Sequence, residues 1–113
     1  MNILDKITEH KKEEVARNKQ FLSTEQLMQK PFFNRTVISL KQFLLDETKT
    51  GIIAEFKRKS PSKGVINNSA DVEEVTKAYT ENGASGLSVL TDTVFFGVLA
   101  DDMLKARVND IPI

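Results

Sequence analysis

The stretch that decides the fold is Gly51-Ile52-Ile53-Ala54-Glu55-Phe56-Lys57-Arg58-Lys59-Ser60-Pro61-Ser62. Its first half is short, β-prone and bounded by a glycine before and a Ser-Pro turn after, which predicts a strand over 52–57. Alternate side chains of a strand share a face. Ile53, Glu55 and Lys57 therefore point one way, and Ile52, Ala54 and Phe56 the other. The second set is wholly apolar and suits packing on helices. The first brings a carboxylate and an ammonium to the strand's carboxyl end.

A polar loop leads from this strand to Asp71 and Glu74, which stand at capping-box spacing. A helix through Val72, Val75, Ala78 and Tyr79 runs to Asn82-Gly83, where the glycine supplies a left-handed stop. Gly86-Leu87-Ser88-Val89-Leu90 begins a second strand, over 86–91. Thr91-Asp92-Thr93 leads into a loop with Phe95-Phe96-Gly97, then a helix with Leu99, Met103, Leu104 and Ala106. Ile111-Pro112-Ile113 reads as the start of a third strand. Strand, helix, strand, helix, strand is the order of parallel β/α units, so the fold class is α/β.

Towards the amino terminus the pattern is helical. Ile3, Leu4, Ile7 and Val15 form a narrow apolar stripe in the charged segment from Ile3 to Gln20. His10, the only histidine, reads as a surface residue of that helix. Ser23 with Gln26, and Ser39 with Gln42, mark two further helix starts. Residues 1–50 thus form a helical extension, and residues 51–113 two β/α units with the start of a third strand.

Composition narrows the function classes. Sixteen basic residues balance sixteen acidic ones, which gives no bulk attraction to nucleic acid or to an anionic membrane. The absence of cysteine excludes disulfides and cysteine-held metals. The opening residues lack an apolar leader and no run approaches a bilayer span, so the expectation is a soluble, cytoplasmic protein. A glycine-rich phosphate loop, a histidine-based triad and a transition-metal cluster all lack support.

In parallel β/α folds, ligands bind at the carboxyl ends of the strands. There Glu55 can exchange protons or orient a hydroxyl, and Lys57 can hold an anion or stabilise developing negative charge. On spacing alone, a solvated ion pair on an exposed strand face is the commoner arrangement. Phe95 and Phe96 would either wall a flat aromatic substrate or plug the seam between loop and sheet. The basic run Lys57-Arg58-Lys59 with Lys63 would attract a phosphorylated or carboxylated substrate, or simply line a solvated loop.

At these residues the chain resembles indole-3-glycerol-phosphate synthase. Glu55 to Ser62 is similar to the first-strand signature E-x-K-x-x-S-P-S, Ala84 to Asp92 to the second strand, and Phe95-Phe96-Gly97 to the loop after it. The resemblance implies an eight-stranded (β/α)8 TIM barrel with an amino-terminal helical extension, here incomplete. It implies a lyase of tryptophan biosynthesis that closes the indole ring of 1-(2-carboxyphenylamino)-1-deoxyribulose 5-phosphate with loss of carbon dioxide and water. No cofactor and no metal are implied. Glu55 and Lys57 would be catalytic: Glu55 orienting the substrate and assisting proton transfer, Lys57 contacting its carboxylate and supporting ring closure and dehydration. Ser60 would lie in the substrate-binding loop, and Phe96 against the anthranilate ring.

Two departures accompany the resemblance. Gly97 is followed by Val98-Leu99-Ala100 instead of a further glycine and a serine, and valine is unsuited to a positive φ at position 98. The family's general-acid lysine, glutamate base and phosphate loops lie on later strands. Loss of general acid–base help alone costs about a hundred- to ten-thousand-fold, so a chain truncated at this point is expected to be inactive alone. The expected partners are a small phosphorylated substrate and either another copy or a complementary barrel fragment. The alternative reading makes the chain a half-barrel interaction module that docks on such a carboxyl-terminal fragment.

Overall fold

Most helix starts in this protein are set by short polar side chains, and the computed structural model, which describes residues 2–99 and 101–113, shows those caps atom by atom. Asn2 and Asp5 form a reciprocal capping box that opens α1 (Ile3–Phe21). Ser23 and Gln26 do the same for α2 (Thr24–Met28). Each box satisfies backbone donors that a helix start leaves without partners. Neither helix carries a buried residue, and α1 is laced by surface pairs such as Lys11 with Glu14 at 2.8 Å. His10 also pairs on that helix, its Nε2 lying 3.6 Å from Glu14.

Two compact units are present, Met1–Thr36 and Val37–Ile113. In the second, Ser39 caps α3 (Leu40–Leu45), which packs on the strand at Gly86–Val89. Strand β1 (Ile53–Phe56) is followed by a small antiparallel hairpin, β2 (Lys59–Ser60) with β3 (Gly64–Val65). This hairpin occupies a segment whose sequence pattern suggests plain loop. Gly64 turns it with a φ of 67°, a conformation that costs glycine nothing. Asp71 then accepts bonds from the backbone N–H groups of Glu73 and Glu74, starting α4 (Val72–Glu81). Gly83, φ 93°, ends it as expected.

Strand β4 (Gly86–Val89) pairs in parallel with β1, placing Ala54 beside Leu87, Glu55 beside Ser88 and Phe56 beside Val89. The β1–α4–β4 crossover is the expected parallel β/α unit. One face of the sheet is apolar. Phe56 and Val89 pack with Val72 and Ala106, while Leu87 joins Ala84 and Ile111, with half-buried Ala54, Tyr79 and Phe43 against them. Ile52, expected on that packed face, precedes the first ladder residue and is 58% exposed.

The aromatic segment is not a loop but a single helical turn, α5 (Thr93–Phe96). Asp92 accepts the bond from Phe95 N–H, and Gly97 closes the turn at a φ of 68°. The left-handed position is therefore Gly97. Val98 has no positive φ and is buried, which answers the conflict raised by its side chain. The next helix is short, α6 (Asp102–Ala106), and packs on α4. Residues 111–113 do not form the expected third strand. Leu87 N–H donates to the Pro112 carbonyl at 2.8 Å, but proline has no N–H to continue a ladder. No described helix is long and apolar enough to cross a membrane.

Candidate active site

The β1–β4 face opposite the core carries the polar side chains of Glu55 and Ser88. Period-2 alternation sends Ala54 and Phe56 into the core, so Glu55 emerges on the other side, across the ladder from Ser88. Ser88 Oγ donates to Glu55 Oε2 at 3.0 Å. The second carboxylate oxygen, Oε1, lies 3.7 Å from Lys57 Nζ. Each oxygen of Glu55 thus has its own partner, one neutral donor and one cation. The Glu55 and Lys57 side chains are 46% and 36% exposed, so this pair is hydrated and contributes little to stability. Its geometry matters more than its energy.

Lys57 Nζ also stands 6.0 Å from the centroid of the Phe96 ring, at the outer limit of a cation–π contact. Phe96 is held there by its backbone, since Arg58 N–H donates to the Phe96 carbonyl at 3.3 Å. The end of β1 and the α5 turn are consequently tied together next to Lys57. Gly97 backs directly onto the chain after β1, where an added Cβ would come within 3.1 Å of Lys59 Cγ. Of the four site residues read from the sequence, Glu55, Lys57 and Phe96 form one group.

Ser60 is placed differently. It is buried in the hairpin, and its Oγ accepts the Lys63 backbone N–H at 3.1 Å and lies 3.4 Å from Ser62 Oγ. Its hydroxyl shapes the turn beyond the strand.

The basic run does not act as one anion-attracting patch. Arg58 is 6% exposed and its guanidinium forks onto Asp102, which is fully buried. Nη1 meets Oδ2, and Nη2 meets Oδ1 at 3.1 Å. Burial alone would raise the Asp102 carboxyl. The hydrogen bonds from Arg58 and the Leu99 N–H, with the positive charges of Arg58 and Lys105, outweigh that and hold it below the usual carboxylate range. The hydrogen bond to Asp102 likewise raises Arg58 above its ordinary value. Nothing in local spacing links residues 58 and 102. Ser88 was legible only as a lone hydroxyl in an otherwise apolar strand.

Comparison with known proteins places the chain in a family. The family model described as indole-3-glycerol phosphate synthase matches residues 4–112. The chain is 44% identical over 113 residues to the indole-3-glycerol phosphate synthase of Bacteroides thetaiotaomicron, covering 99% of this chain and 43% of that protein. It is 39% identical over 109 residues to that of Bordetella pertussis, covering 94% and 42%. It is 45% identical over 107 residues to that of Legionella pneumophila, covering 94% and 40%. The chain thus spans about two fifths of the length of these relatives. With nearly its whole length matched, the chain belongs to the indole-3-glycerol phosphate synthase family.

Proposed function

We propose that this chain supplies the first part of the substrate site of an indole-3-glycerol-phosphate synthase, the lyase that forms the indole ring of tryptophan from 1-(2-carboxyphenylamino)-1-deoxyribulose 5-phosphate. In this reading residues 1–50 are the helical extension and residues 51–113 the opening β/α units of a TIM barrel. The observation that carries it is the Glu55–Lys57 pair, 3.7 Å apart at the carboxyl end of a parallel strand, with the Phe96 ring beside the ammonium.

Closing the ring builds negative charge on the former carbonyl oxygen, and dehydration must then protonate that oxygen. Lys57 is an ammonium at the right end of the strand to bind the substrate carboxylate and stabilise that charge. Glu55 orients a substrate hydroxyl and assists the proton movements, with Ser88 fixing one of its oxygens. Phe96 offers a flat apolar surface to the anthranilate ring. Ser60 acts through the hairpin that borders the site. Further acid–base groups and the phosphate contacts belong to later strands, on the same polypeptide or another.

A second reading, docking of this chain on a complementary carboxyl-terminal half-barrel, is favoured by Ile53. It shares the site face with Glu55 and is 49% exposed, as an interior barrel position awaiting neighbours would be. One assay addresses both. The chain is mixed with the carboxyl-terminal strands of a relative, and indole-3-glycerol phosphate formation is followed from the synthetic substrate. Product is expected from the mixture and not from the chain alone. A physical complex without product would retain docking and remove the catalytic assignment.

A further inference from the structure

We propose that the buried Arg58–Asp102 pair is a positioning device for the site, setting Lys57 against the Phe96 turn without itself touching substrate. This rests on the reading of Lys57 and Phe96 given above. Arg58 directly follows Lys57, and it ties several segments to the strand end. Its N–H holds the Phe96 carbonyl at 3.3 Å, and its own carbonyl accepts from Ile66 and Asn67 at 2.8 and 3.0 Å. Its Nε donates to the Ala70 carbonyl at 3.3 Å, in the approach to α4. Its guanidinium lies 5.0 Å from the Phe56 ring centroid and forks onto Asp102 at the start of α6. Asp102 Oδ2 also takes the Leu99 N–H at 2.9 Å, fixing the chain just beyond the Phe96 turn.

A buried ion pair is a poor source of net stability, because apolar residues of equal volume do as well. What it adds is direction. A planar fork on a carboxylate permits one orientation, and the Arg58 backbone must follow its side chain. Arg58 and Asp102 are too buried to meet a substrate, so they act through Lys57 and Phe96.

The test has two arms. In the chain combined with supplied carboxyl-terminal strands, Asp102→Asn and Arg58→Lys are each expected to lower kcat by up to about a hundredfold, the scale of a small misplacement of reacting groups, with a lesser change in KM. In the chain alone, amide exchange at Arg58, Ile66 and Asn67 is expected to accelerate at least roughly tenfold, while Ser85 and Leu90, which donate to carbonyls at either end of β1, stay protected. Unchanged kcat in a folded variant overturns the proposal. So does exchange that accelerates equally across β1 and β4, which marks a purely structural role. Should Asp102→Asn fail to fold, Asp102→Glu keeps the charge, displaces the carboxylate by one methylene and gives the same readouts. Lys57→Ala is the reference: full turnover there removes the functional reading, and the exchange pattern still decides the clamp.

Discussion

Glu55 and Lys57 are separated by one residue, and the consequence of that spacing is chemical. Glu55 leaves β1 on the face away from the core, Lys57 follows the strand's last residue with its ammonium 3.7 Å from that carboxylate, and neither supports the core. Glu55→Gln and Lys57→Ala should therefore leave the melting temperature of the chain nearly unchanged. Turnover of the assembled enzyme should fall by about a hundred- to ten-thousand-fold in each. Near-normal rates in both would show that the two form only a solvated pair. Phe96→Ala should act mainly on substrate binding, and an unaltered KM would take its ring out of the pocket. Gly97 offers a test of the turn itself. Its φ of 68° and the 3.1 Å approach to Lys59 mean that Gly97→Ala should cost about 1–2 kcal/mol from the left-handed backbone alone, read from denaturant unfolding. Alternation made Glu55 and Lys57 legible from sequence. Arg58 misled only as the middle of three cations in a row, for its position continues the Ala54–Phe56 series into the core, where Asp102 receives it.

Between elements, the Arg58–Asp102 bridge joins the end of β1 to α6, and its electrostatics give a pH signature. Asp102 is held below its unfolded value by its partners. Its contribution is fully present above the unfolded carboxylate range and is lost as pH falls through the lowered folded value. Acid unfolding of the wild type should therefore show a component at the acidic end of the carboxylate range, and that component should vanish in Asp102→Asn. Asp102→Ala, which leaves the guanidinium buried without a counter-charge, should cost about 3–5 kcal/mol at neutral pH. A loss below about 1 kcal/mol would mean that water reaches Arg58. Elements opened by a side-chain cap were readable in advance, as Ser23, Ser39 and Asp71 show, because a cap is a local chemical signal. The α5 turn was missed although Asp92 caps it, and the hairpin at 59–65 was missed because its two-residue strands are too short to show alternation. The bond that ties the two together, Arg58 N–H to the Phe96 carbonyl, joins separate segments and leaves no trace in a pattern read along the chain.

For the whole molecule, the decisive fact is that β1 and β4 are a two-stranded parallel sheet. Parallel sheets are ordinarily covered on both faces, and two strands alone are marginal in water. Here α4 and α6 pack on one face, the opposite one receiving Leu40 of α3 beside Gly86. On the other, Ile53 remains 49% exposed, and along β4 the segment at 111–113 supplies a single bond, Leu87 to Pro112. Covering Ile53 alone would contribute roughly 1 kcal/mol, and pairing the open strand edge would add backbone hydrogen bonds of similar size. Added carboxyl-terminal strands of a relative should therefore raise the melting temperature of the chain by several degrees. Without them, the same surface should drive concentration-dependent self-association, visible by sedimentation velocity. Because the attraction is apolar, moderate sodium chloride should not abolish it, whereas Ile53→Lys should weaken both self-association and complementation together. A chain that sediments as a monomer at every concentration, and melts identically with and without those strands, would show that this face needs no cover.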